Sequence, residues 1–351
     1  MWPRPVVFVA LLALLAGTAC GTASAASVEE SPDEVAFLDE SWANGEIETV
    51  VNQGIMVGPV EEFRPSDPLT WAELAQAVAA AGGVAPVVAD PARFVRLREL
   101  DGALVRLLGL APAARQVRVA LGAAGLEPPA RVGTETIARL VGLRINHPMD
   151  QDQLERAPDD SATRAEAAYS LARVLELRAT DLSWVAERVS SFAVPQLSDW
   201  QRRILARAVA LVGFPYVWGG SSETAQAPFG VTVPGGFDCS GFTWRVYKLQ
   251  DFDGDWTLAD TLKGRSTYEL SAEVKRPARI PIEQVQPADL LFFGERGRKS
   301  KPRQVGHMGI SLGNGWMVHS SRYGTTITPI EGWYLTDFAW ARRPLAEAGL
   351  A

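Results

Sequence analysis

Residues 6–16 form an uninterrupted apolar run behind Arg4. A bilayer-spanning helix takes about 20 residues, so this run is too short for one. It suits the core of an export signal, and Ala23-Ser24-Ala25 follows as a small-x-small cleavage pattern. The pattern predicts a signal peptide over residues 1–25 and an exported protein. Residues 27–185 are rich in Ala, Leu, Val, Arg and Glu and read as short amphipathic helices joined by loops. Residues 195–345 hold most of the Trp and the aromatic, strand-like runs. A linker is expected over 186–197, where Val194-Pro195 breaks regular structure. Ser198-Asp199-Trp200-Gln201 then fits a capping box opening a helix. Ile204, Leu205, Ala208 and Leu211 form its apolar stripe, and Gly213 and Pro215 end it. Further on, two apolar-rich runs flank Gly313-Asn314-Gly315, a hairpin signal.

Composition narrows the classes. The 351 residues suggest about two domains, and 47% hydrophobic with 21% charged residues argues against a largely disordered chain. A pI near 5.2 argues against a nucleic-acid partner for the whole chain. Residues 195–345 carry 18 Lys+Arg against 14 Asp+Glu, or +4, which leaves 34 − 18 = 16 against 41 − 14 = 27, or −11, elsewhere. A modestly basic second half suits an anionic target. Two cysteines, Cys20 and Cys239, exclude a disulfide scaffold or a zinc-finger cluster. Cys20 ends a stretch like a lipoprotein signal, and membrane attachment is expected only if it is lipidated. Cys239 then has no intramolecular partner in an exported protein, which points to reactivity.

In the first half, residues 37–78 contain Gly54-Ile55, Gly58, Phe63-Arg64-Pro65 and Thr70-Trp71-Ala72-Glu73. This wording resembles an S-layer homology repeat, a small helical module that holds cell-wall polysaccharide. The ending returns at Thr163-Arg164-Ala165-Glu166 and, weakly, at Arg96-Leu97-Arg98-Glu99. Glu73, Glu99 and Glu166 are then equivalent, at irregular separations of 26 and 67. The alternative is a helical packing domain without ligand contacts. Trp42 and Trp71 suit either sugar stacking or a core.

The chemistry gathers in the second half. Gly235-Gly236-Phe237-Asp238-Cys239-Ser240-Gly241-Phe242 precedes a helical stretch, so Cys239 sits at a helix start. The dipole there is expected to lower the thiol pKa from about 8.5 toward neutrality, making a nucleophile. Of the three histidines, His307 and His319 lie in the hairpin, and His147 reads as a surface-loop residue. His307 suits a general base, and His319 suits the group that orients it. The two share a face only if the hairpin has an odd loop or a bulge. Gly309 leaves room for both rings.

Together with Tyr216-Val217-Trp218-Gly219-Gly220 and Pro287-Ala288-Asp289-Leu290-Leu291-Phe292-Phe293, these residues resemble the NlpC family of cell-wall cysteine peptidases over roughly residues 198–345. The resemblance implies an α+β class with a papain-like domain, its Cys on a helix against an antiparallel sheet. It implies cleavage of peptidoglycan stem peptides, commonly between D-γ-glutamate and diaminopimelate. Cys239 is then the nucleophile, His307 the base and His319 the third polar residue. Tyr216 supports the oxyanion or substrate, and Asp238 and Ser240 help hold the free amino end of the stem peptide. No metal or other cofactor is implied. Residues 223–234 lengthen the loop before Cys239 and are expected to shape the cleft. Arg296, Arg298, Lys299, Lys301 and Arg303 crowd the loop before His307 and are expected to attract anionic cell-wall polysaccharide or stem peptides. The motifs leave open an amidase or acyltransferase on the same scaffold, and a non-catalytic wall-binding protein. The calcium-like run at 251–255 lacks Gly and Glu at the sixth and twelfth positions, which are Trp256 and Leu262.

Overall fold

The computed structural model describes residues 41–351. The expected signal peptide and Cys20 lie outside the described residues. Among the described residues no helix is long and apolar enough to cross a membrane.

Among the described residues, seven α-helices build the first half: α1 (Asn44–Asn52), α2 (Trp71–Ala80), α3 (Leu97–Leu107), α4 (Ala111–Ala123), α5 (Val132–Leu140), α6 (Arg164–Glu176) and α7 (Ala179–Ser190). Three extended stretches close a ring ahead of α2, α3 and α6. Leu69 N donates to Ala162 O, Val95 N to Leu69 O, and Ala162 N to Val95 O, each at 2.8 Å. Each following helix is capped the same way, because a helix leaves its first amides without intrahelical partners. Glu73 accepts from the amide of Thr70 at 2.8 Å, Glu99 from that of Arg96 at 2.8 Å and Glu166 from that of Thr163 at 2.7 Å. The three glutamates are thus equivalent in space. Their uneven spacing arises because α4 and α5 are inserted between the second and third copies. Trp71 is buried, and Trp42 packs edge-on against His147, so both tryptophans serve the core.

The second half opens with α8 (Asp199–Ala210), whose Ser198 and Gln201 form the expected capping box. A two-stranded ribbon, β1 (Ser221–Ser222) with β2 (Gly236–Phe237), leads into α9 (Cys239–Tyr247), and α10 (Thr267–Ala272) follows. The main sheet comprises β3 (Leu290–Gly294), β4 (Val305–Gly313), β5 (Trp316–Ser321), β6 (Gly324–Pro329) and β7 (Phe338–Arg342). Its order is β6-β5-β4-β3-β7, with every neighbouring pair antiparallel. α9 packs against β4 and β5, with Phe242 and Val246 buried. This is the papain-like α+β arrangement: a helix-borne cysteine on an antiparallel sheet.

The stretch 186–197 is not a loose tether. Its first residues complete α7, and Phe192 is buried edge-on against Trp316 with ring centroids 4.8 Å apart. Asn314 Nδ2 donates to Ala193 O at 3.0 Å. The two halves share one continuous apolar core, and the described residues form one compact body.

Candidate active site

Asp238 is the N-cap of α9, and its carboxylate accepts from Gly241 N. Cys239 therefore stands on the first turn of the helix. Gly241 is required by close approach: a Cβ there would lie 1.8 Å from the carbonyl oxygen of Gly220. The Asp238 carboxylate also accepts from Gly219 N at 3.0 Å and Ser240 Oγ at 2.9 Å, and pairs with Arg265 at 3.4 Å. Arg265 donates in turn to Ser240 Oγ at 2.8 Å and Gly219 O at 3.0 Å. Asp238 and Ser240 are thus knitted into the frame around the thiol, and Arg265 completes it. No motif pointed to Arg265, which lies 27 residues beyond Asp238.

The hairpin solves its geometry with a bulge. Ile310 pairs with Val318 and Ser311 with Met317, but Gly313 pairs with Trp316, so Leu312 is the extra residue. Continuing that register sets His319 beside Gly309, where an added Cβ would stand 3.0 Å from His319 Cβ. The histidines accordingly share a face, with His307 Nε2 and His319 Nδ1 at 2.7 Å. His319 Nε2 is 3.1 Å from Thr328 Oγ1 on β6. Phe293, Trp333 and Tyr334 wall the His307 ring, at centroid distances of 5.8, 6.1 and 6.0 Å.

Two tautomer arrangements satisfy these contacts, because the Thr328 hydroxyl can either accept from His319 Nε2 or donate to it. If His319 Nε2–H donates to Thr328, His319 Nδ1 is an acceptor. His307 Nε2–H then donates to it, and His307 Nδ1 is left with a lone pair. The opposite orientation would place a proton on His307 Nδ1 and remove its capacity to act as base. Burial favours neutral rings throughout: it pushes His307 down to about 4, and burial together with His307 holds His319 well below its usual value.

Cys239 is buried, with Sγ 3.5 Å from Thr267 Oγ1. The amide of Met308, the residue after His307, lies near enough to favour the thiolate. Here the sequence expectation is corrected. Burial, and then the Asp238 carboxylate, push the thiol up to about 11, against the opposing Thr267, Met308 and Ser240 hydrogen bonds. Desolvation outweighs the helix dipole because the charged form loses bulk water. The resting pair is a neutral thiol and a neutral imidazole. Alkylation of Cys239 by iodoacetamide at pH 7 is therefore expected to run on the order of 10²-fold slower than that of a free thiol with pKa about 8.5, rising with pH toward 10. The mass of the Cys239 peptide over time checks this, and fast, pH-independent labelling would refute it.

Tyr216 lies near this centre. Its hydroxyl is held protonated chiefly by burial, with the Asp238 and Asp152 carboxylates adding to it. The 223–234 loop is tied down by Glu223, which pairs with Arg207 and Arg245. With Met149, Gln153 and Trp218, its residues Phe229 and Val231 enclose a cavity of about 300 Å³. Arg298, in the basic loop, pairs with Glu283 at 2.5 Å. His147 is not a surface residue: Glu155 accepts from its amide at 2.7 Å, its ring packs on Trp42, and burial pushes it down to about 4. Among the described residues, no group of three or more His, Cys, Asp or Glu side chains is arranged to hold a metal ion.

Comparison with known proteins finds a match within each half. Residues 213–343 match the NlpC/P60 family, and residues 38–75 match the S-layer homology domain. Protein P54 of Enterococcus faecium is 34% identical over 139 residues, 39% of this chain and 21% of that protein. The gamma-D-glutamyl-L-lysine dipeptidyl-peptidase of Bacillus subtilis (strain 168) is 28% identical over 163 residues, 45% of this chain and 46% of that protein. The match thus spans less than half the length of either relative. A crystal structure of an NlpC/P60 family protein from Bacillus cereus ATCC 10987 aligns at 26% identity over 44% of this chain and 42% of its own, with a TM-score of 0.32.

Proposed function

With an NlpC/P60 domain over residues 213–343 and an S-layer homology domain over 38–75 as the premise, we propose that this is an exported peptidoglycan hydrolase. It is a cysteine endopeptidase that cuts stem peptides at the D-γ-glutamyl-diaminopimelate bond. The observation that carries this reading is the relay from Thr328 through His319 to His307, with a buried thiol beside the Met308 amide.

In this mechanism Cys239 Sγ attacks the γ-carbonyl carbon as its proton passes to His307 Nδ1. The carbonyl π pair becomes an oxyanion, stabilised by first-turn amides of α9 and by the protonated Tyr216 hydroxyl. His319 Nδ1 accepts from His307 and stabilises the imidazolium. Collapse expels the diaminopimelate amine, which takes the proton from His307, and leaves a thioester. Water deprotonated by His307 then hydrolyses the thioester and restores the thiol. Because His307 must be neutral and burial holds it near 4, kcat/KM is expected to rise through that pH and stay flat over neutrality.

The helical half is read as the wall-binding part. A cavity of about 310 Å³ lined by Arg64, Glu62, Glu73, Gln76 and Arg164 offers polar groups to an anionic polysaccharide. Arg164 is largely engaged already, with Phe63 O at 2.7 Å and with Glu73, so Arg64, exposed although paired with Asp67 at 3.3 Å, is the more accessible cation.

The deciding experiment digests purified peptidoglycan and its L-Ala-γ-D-Glu-diaminopimelate peptide and reads the products by mass spectrometry. Release of L-Ala-D-Glu by the wild type and not by Cys239→Ala supports the reading. Release of a sugar-linked or acyl-transferred product instead would favour an amidase or acyltransferase. No product at all would favour a non-catalytic wall-binding protein.

A further inference from the structure

The loop 211–219 carries Tyr216 to the candidate site, and much of its backbone is held from the helical half. Arg139 Nη2 donates to Gly213 O at 2.6 Å, and Asn146 Nδ2 donates to Tyr216 O at 2.9 Å. Asp152 Oδ2 accepts from Trp218 N at 2.9 Å. Asn146 is itself oriented by Glu155, whose Oε1 accepts from Asn146 Nδ2 at 2.6 Å. Arg139, Asp152 and Glu155 are all buried. On the opposite side the loop is held by its own half: Val217 N donates to Phe237 O at 3.3 Å, and Gly219 N to Asp238 at 3.0 Å. Tyr216 and Trp218 therefore sit between clamps from two distant parts of the chain.

We infer that Asn146 and Asp152 are positioning residues for the catalytic cleft, so that the helical half is a working part of the active site as well as a wall anchor. The inference rests on the cysteine-peptidase reading for its effect on turnover. Buried backbone groups require partners, and a loop that loses them exchanges its single conformation for several. The Tyr216 side chain follows its own carbonyl. If its hydroxyl serves the oxyanion, displacement lowers kcat more than it raises KM. A misplacement of about 1 Å can reduce rate on the order of 10²-fold.

The test uses the full chain with Asp152→Ala, Asp152→Asn and Asn146→Ala. Asp152→Asn keeps an oxygen that accepts from Trp218 N, so it is expected to stay within about threefold of wild type. Asp152→Ala and Asn146→Ala are expected to lose about 10- to 100-fold in kcat with KM little changed. A merely structural role would lower the active fraction without this split between kcat and KM. Hydrogen exchange at the Tyr216–Trp218 amides supplies a readout independent of activity, and Asp152→Ala should accelerate it while Asp152→Asn does not. Unchanged exchange in both alanine variants overturns the inference whether or not the protein hydrolyses peptide. Faster exchange in the alanine variants, with a wild type that cleaves nothing, would uphold the clamp and reject the peptidase reading instead.

Discussion

Cys239→Ala is expected to abolish hydrolysis of the stem peptide, with a loss of roughly 10⁴-fold or more in kcat and no compensating change in KM. The sulfur forms the covalent bond, and no other cysteine occurs among the described residues. The fold should tolerate the change. The thiol's side-chain partner is Thr267 at 3.5 Å, a weak contact, so the cost in stability is about 1 kcal/mol or less. Cys239→Ser should fail almost as badly. A hydroxyl is a poorer nucleophile than a thiol, and an imidazole held near 4 is a weak base for it. Steady-state kinetics with thermal melts separates chemistry from folding. An alanine variant that keeps even a few per cent of wild-type turnover would remove Cys239 from the mechanism.

The second large effect concerns the far end of the relay. His319→Ala should lower kcat by about 10²- to 10³-fold, within the range expected for disabling a general base. It leaves His307 Nε2 without its 2.7 Å partner. Thr328→Val tests the productive tautomer with little change of shape, since it removes the hydroxyl 3.1 Å from His319 Nε2 that can accept its proton. His319 then has no reason to keep its proton on Nε2, and His307 Nδ1 gains one for part of the time. A fall of about tenfold in kcat is expected, with recovery in Thr328→Ser, whose hydroxyl restores the acceptor. The nitrogen-15 shifts of the two imidazoles should report the changed tautomers directly. If Thr328→Val leaves both shifts and rate untouched, the orientation of the relay is set elsewhere.

Much of this centre was legible because its signals are local. Asp238-Cys239-Ser240-Gly241 is a helix N-terminus written in adjacent residues, and its cap forms as the wording implies. The Gly-Asn-Gly turn announced the hairpin. The demand that His307 and His319 share a face predicted an odd loop or bulge, and the bulge at Leu312 meets it. Thr70 with Glu73, and Thr163 with Glu166, are capping pairs three residues apart, so the repeat endings were readable. Thr267, Thr328 and Arg265 carried no such mark. Each is an ordinary residue whose importance comes from a partner many positions away.

The amino-acid sequence by itself thus determined the order of the chemical groups, the helix starts and the turn, while the bulge that puts the two histidines on one face came with the folded sheet. Those features depend on dihedral preferences and on hydrogen bonds spanning a few residues. The tertiary structure alone decided the protonation of Cys239 and His307, the burial of His147 and the clamp of Asn146 and Asp152 on the Tyr216 loop. Desolvation depends on which distant segments exclude water from a group, and a buried carbonyl takes its donor from whichever segment packs beside it. Neither is encoded in the residues next to the group, so both appear only when the chain has closed on itself.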